Sequence, residues 1–159
     1  MRTLIAGFGN VLRGDDGFGV AVLQQLGALG PLGDGIDLLE VGTGGLRLAQ
    51  ELLAGYDRVI VVDAMTAGGE PGALYVRRVE SIEPATDVDL HLAVPARALS
   101  VAQALGALPA EVFLVGCEPK EVEELRLELS PPVRRAVPRA IASILALLAA
   151  RMPRAGVRS

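Results

Sequence analysis

The 159-residue chain has no tryptophan, one cysteine (Cys117), one histidine (His91) and 3% aromatic residues. Each scarcity removes a class of function. A single cysteine excludes an internal disulfide framework and any metal site built on two or four thiolates, and it fits a reducing compartment. A single histidine excludes two-histidine zinc motifs such as HExxH within one chain. So few aromatics argue against a base-stacking surface. Positive charge is also short: 15 Lys and Arg against 19 Asp and Glu leave a formal charge of −4. A protein that neutralises many phosphates usually has the opposite sign, so no nucleic-acid partner is expected. The longest helical apolar stretch, Ala140 to Ala150, lies between Arg139 and Arg151. It is about half the ~20 residues that cross a bilayer, so no membrane partner is expected. The start, Met1-Arg2-Thr3-Leu4-Ile5-Ala6-Gly7, reaches glycine before a signal-peptide apolar region forms. A cytoplasmic protein is expected.

What remains is apolar and glycine-rich: 51% hydrophobic residues and 19 glycines. That supplies the core of one domain, residues 1–159, with 152–159 expected to fray. Strand and helix signals alternate. Thr3–Phe8, Ile36–Val41, Arg58–Val62, Ala73–Val79 and Glu111–Val115 read as strands. The fourth carries Arg77 and Arg78, which suits a sheet edge. Helical spacing covers Gly17–Leu29, Gly45–Ala54 and Pro95–Leu108, and a last helix runs from Ser130-Pro131-Pro132 to about Arg151, with Ser130 as N-cap. Alternation of this kind predicts an α/β fold, a three-layer α/β/α sandwich around a mostly parallel, twisted five-stranded sheet. Ligands in such sheets sit beyond the carboxyl ends of the strands. Those ends are Gly7–Asp16, Glu40–Gly45, Asp63–Met65 and Gly116–Pro119.

The chemistry-bearing residues cluster at these ends. Gly7-Phe8-Gly9-Asn10 is similar to a dinucleotide fingerprint, but Leu12 stands where the third glycine belongs, and Glu40 is further on than the usual ribose-binding acid. Asp15 and Asp16 also place negative charge where a pyrophosphate needs backbone N–H groups. Two successive acids on a glycine-rich loop exceed what a helix cap requires. Asp63 ends the most hydrophobic strand, where a turn or cap residue is the plainer reading. His91 alone is more often a loop residue than a ligand. Two strand-end carboxylates and an imidazole would together suit nickel or zinc. Cys117 reads as a small buried hydrophobe rather than a reactive thiol. No GxSxG elbow is present.

The run Gly7 to Gly19, GFGNVLRGDDGFG, resembles the N-terminal signature of the hydrogenase maturation endopeptidases, GxGNxLxxDDGxG. Gly42-Thr43-Gly44-Gly45, Val61-Val62-Asp63-Ala64, His91, Val115-Gly116-Cys117-Glu118-Pro119 and Leu129-Ser130-Pro131-Pro132-Val133 follow in the family's order. The resemblance implies an endopeptidase that removes the C-terminal extension of a nickel–iron hydrogenase large-subunit precursor. It implies recognition of nickel already held by that precursor, the protease itself being metal-free as purified. It places the metal-contacting and catalytic residues at Asp16, Asp63 and His91. For bond cleavage it leaves open a metal-polarised carbonyl, a metal-activated water, or Asp15 as general base. The glycines of the 42–45 loop would let the substrate backbone approach. A different class stays open too: a non-catalytic nickel- or nucleotide-binding accessory protein of hydrogenase assembly.

Overall fold

The computed structural model describes residues 1–80, 82 and 93–150. Its elements are β1 (Thr3–Phe8), a 3-10 turn (Gly14–Gly17), α1 (Phe18–Ala28), β2 (Ile36–Gly42), α2 (Leu46–Leu52), β3 (Arg58–Ala64), β4 (Leu74–Arg78), α3 (Ala93–Ala104), β5 (Glu111–Cys117) and α4 (Pro131–Ala149). The five strands form one sheet in the order β2-β1-β3-β5-β4. All neighbours are parallel except β4, which runs antiparallel to β5 at the edge.

The central strands are apolar because both faces are covered. Every residue of β1 and β3 is buried. Successive side chains point to opposite faces, so each strand feeds two cores. Ile5, Ile60, Val62 and Val115 pack with Phe18, Val22 and Leu26 of α1 and Val133, Val137 and Ile144 of α4. Leu4, Ala6, Val59 and Val61 pack with Leu48 and Leu52 of α2 and Ala98, Leu99 and Ala102 of α3. This is the three-layer α/β/α arrangement, and no described helix is long and apolar enough to cross a membrane.

Element bounds differ from the sequence reading in instructive ways. The helix read from Pro95 begins at Ala93, because a proline in the first turn lacks only an N–H that has no helical partner there. It stops at Ala104 rather than Leu108, and Gly106 then takes a positive φ of 72°. Residues 14–17 form a separate 3-10 turn before α1. The tail 152–159 lies outside the described residues.

Candidate active site

β1 and β3 are neighbours, so the loops leaving their carboxyl ends meet. The first loop turns sharply at Gly9, whose φ is 125° and whose N–H donates to the Gly42 carbonyl at 2.9 Å. A side chain there would overlap the carbonyl oxygen of Asp16 and come within 3.7 Å of an Asp63 carboxylate oxygen. Only glycine lets the loop lie this close to both acids. Gly19 plays the complementary part: a Cβ there would collide with the Phe8 and Val62 carbonyls, so it seats α1 directly on β1 and β3.

Asp16, on the 3-10 turn, is half-buried, and its Oδ2 accepts the Asn10 N–H at 2.9 Å. Asp63, at the end of β3, is 5% exposed. Burial and the nearby charge of Asp16 both push the Asp63 carboxyl well above the ordinary range, and its contact with the Ala64 N–H offsets only part of this. The two acids line one cleft of about 350 Å³, with Gly9, Arg13, Thr43 and Glu123 among its walls. Two carboxylates confined in one cleft repel each other, and a cation arriving between them would relieve that repulsion. Asp16 and Asp63 are thus brought together. His91 lies outside the described residues, and among those described no three acidic, histidine or cysteine residues converge as a metal site.

Asp15 is placed elsewhere. It is 1% exposed and does not face the cleft. Its Oδ1 accepts the Ser130 N–H at 2.7 Å, while its Oδ2 accepts the Ser130 hydroxyl at 2.7 Å and the N–H groups of Lys120 and Glu121 at 2.8 and 3.1 Å. A carboxylate engaged by four donors and held away from the cleft is not the general base that the sequence left open. It ties the segment after β5 and the start of α4 to the 3-10 turn. The Ser130 hydroxyl, expected to cap α4, is given to Asp15, and α4 has no side-chain cap.

Three other residues settle into roles of packing or support. Cys117 is fully buried, and burial followed by the charge of Asp15 pushes its thiol up to about 12, so it is an inert core residue. Glu118, buried beside it, accepts N–H bonds from Ala67 and Gly68 and the Tyr75 hydroxyl, fixing the loop after β3. In the 42–45 loop, Gly42 and Gly44 have open space around them, whereas Gly45 packs against Val94 and Ala98 of α3.

The sequence reading missed Arg13 and Glu123 as cleft residues. Arg13 sat inside the glycine-rich motif without a role. Glu123 belongs to a segment with no periodicity, and its only pointer was its place after the end of β5.

With this geometry in hand, the comparisons are specific. A family model described as hydrogenase maturation protease matches residues 20–147. The hydrogenase expression/formation protein HupD of Rhizobium leguminosarum bv. viciae is 35% identical over 150 residues, covering 92% of this chain and 74% of that protein. The solved structure of the hydrogenase maturating endopeptidase HybD from E. coli superposes with a TM-score of 0.83 at 30% identity, covering 93% of this chain and 92% of that one. A hydrogenase 2 maturation peptidase from a Thaumarchaeota archaeon gives 0.72 at 36% identity, covering 93% and 98%.

Proposed function

The chain belongs to the hydrogenase maturation protease family, and from that premise we propose that it removes the C-terminal extension of a nickel–iron hydrogenase large-subunit precursor after nickel has been inserted. The family consists of peptidases, which displaces the non-catalytic accessory reading. The observation that carries the proposal is the pairing of buried Asp63 with Asp16 in one cleft. Both carboxylates await a positive charge, and a nickel ion held by the precursor supplies it as part of the substrate. His91 is proposed as the third contact. The protease acts in the cytoplasm and holds no metal of its own when purified, because two carboxylates and one imidazole lack the thiolates or second histidine that grip zinc tightly.

The chain's own residues then have definite tasks. The Asn10 N–H orients Asp16. Burial and the charge of Asp16 favour the neutral form of Asp63, and an arriving cation favours the ionised form, so engagement of the substrate lowers the proton affinity of Asp63. The open loop at Gly42 and Gly44 admits extended backbone. Because the contact exists only with a loaded precursor, an empty one is passed over.

The test is direct. Purified protein is incubated with precursor from nickel-starved cells and, separately, with nickel-loaded precursor. Only the loaded form should be shortened, and His91→Ala should abolish the cut. Equal cleavage of both forms, or a tightly held stoichiometric metal in the protease together with activity on generic peptides, would overturn the proposal.

A further inference from the structure

The cleft that holds Asp16 and Asp63 carries one charge that the cleavage reading leaves unused. Among the described residues lining it, Arg13 is the only cation, and three acids, Asp16, Asp63 and Glu123, share the walls. A guanidinium presents five N–H donors in a fork that matches a carboxylate. Yet among the described residues Arg13 makes no ion pair. Its neighbour across the backbone shows the contrast. Arg13 faces Arg126, in the strap Glu121–Leu129, across a parallel bridge, and Arg126 pairs with Glu124 at 3.2 Å. The mount beneath Arg13 is fixed on every side. Its N–H donates to the Asn10 carbonyl at 3.0 Å, and its carbonyl accepts the Asp16 N–H at 3.2 Å. Leu12 before it accepts the Arg126 N–H at 2.9 Å, and Gly14 after it donates to the Arg126 carbonyl at 2.8 Å. One rigid turn therefore carries both Arg13 and Asp16. Arg13 is exposed whereas Asp63 is buried, so the acids form the floor of the cleft and the guanidinium stands at its rim.

We propose that Arg13 decides which precursor is accepted, by pairing with an acidic side chain of the precursor a few residues from the peptide bond that is cut; this inference rests on the endopeptidase reading above. The separation of charge in the cleft selects the occupant. A nickel-loaded segment brings its cation to the acids on the floor, and its polypeptide continues past them to the rim. At ~3.3 Å per extended residue, a side chain two residues from the bond lies about 7 Å along the cleft. That is roughly the edge of a cube with the volume of this cavity, about 350 Å³. The nickel contact is common to every loaded precursor and cannot tell one from another. A carboxylate seated on Arg13 by two parallel N–H···O bonds supplies the difference. A lysine or arginine at the same position of the precursor would be repelled, so the residue discriminates by rejection as well as by attraction.

The test uses the whole protein and nickel-loaded precursor. Arg13→Ala should melt with wild type, because the side chain is exposed and the backbone bonds are kept. It should raise KM about ten-fold while turnover at saturation shifts less than about two-fold, the pattern of lost binding rather than lost chemistry. Arg13→Lys should recover most of the loss, and added salt should weaken wild type more than Arg13→Ala. The acidic side chains of the precursor near the cut are then replaced one at a time by their amides. One replacement should raise KM for wild type and have no effect on Arg13→Ala. Arg13→Glu should fail on the unaltered precursor and recover on one with lysine at that position, a rescue that a merely structural role would not give. An unchanged KM in Arg13→Ala, or no acidic position coupled to it, overturns the specificity inference alone. A fall in turnover with KM kept places the guanidinium on charge formed during cleavage and also overturns it. Wild-type protein that leaves loaded precursor intact overturns the endopeptidase reading, and this inference with it.

Discussion

Asp63 is held in a site that favours its neutral form, because burial and the charge of Asp16 act in the same direction. The unfolded chain loses this proton near the ordinary carboxyl value, while the folded chain keeps it to higher pH. The folded state therefore loses stability as pH rises from about 4 to the folded value of Asp63, and the loss is constant above that. Asp63→Asn removes the penalty. In urea unfolding across a pH series, the variant should gain on wild type as pH rises, and it should no longer process precursor. A stability difference that is flat with pH would sink the argument. Asp15 calls for the reverse outcome. Three donors converge on its Oδ2 and one on its Oδ1. An Asn amide turned either way would point its own N–H groups at one of them. Asp15→Asn should cost about 2–3 kcal/mol and slow cleavage, since Glu123 and Asp16 lose their shared support. The shape of the pH–rate profile should stay that of wild type. A profile that loses its acidic limb would instead return Asp15 to the role of proton acceptor.

β4 shows what charge does for an element. It closes one side of the sheet, and Arg77 and Arg78 stand exposed on it. Their guanidinium groups lie 5.6 Å from the Tyr75 ring and 6.0 Å from the Phe113 ring, so their stems cover apolar surface while their charges face outward. Replacing both with threonine keeps strand propensity and removes the guard. The monomer should change by less than about 1 kcal/mol, while size-exclusion chromatography at high concentration should show new aggregates. Monodisperse double variant would show that the edge needs no charge. The arginines also made this strand legible as an edge from sequence, just as the uncharged run Val59–Val62 marked the centre. Periodicity and composition report how a segment is covered, so the strands and the four helices could be read. The strap Glu121–Leu129 could not be read that way. Its conformation depends on one carboxylate more than 100 residues earlier, at sequence separations of 105 to 115. The same limit applies to the site: Asp16 and Asp63 were visible as acids at strand ends, but Glu123 depended on that long-range tether.

Across the whole molecule the two ends of the sheet do different work. The carboxyl end gathers Asp16, Asp63 and an open cleft, an arrangement in which burial and the charge of Asp16 disfavour ionisation of Asp63. The amino end is tied down. Arg58 is buried at the start of β3, donating to the Thr3 hydroxyl at 3.1 Å and to the Leu147 carbonyl at 2.8 Å, so it joins β1, β3 and the last turn of α4. Nearby, Arg2 donates its backbone N–H to Asp57 at 2.7 Å and its side chain to the Ala54 and Gly55 carbonyls. Arg58→Ala leaves buried acceptors without donors and opens space between strand and helix. The expected cost is about 3 kcal/mol, which for a chain of this size lowers Tm by roughly 6–12 °C. The acids at the far end of β3 are untouched by that loss. At a temperature where the variant remains fully folded, its cleavage of nickel-loaded precursor should match wild type within about two-fold, because local packing changes at distant sites add independently. Urea melts and cleavage rates measured on the same preparation check both halves. A fully folded Arg58→Ala protein that cleaves much more slowly would mean that the two ends of the sheet are energetically coupled.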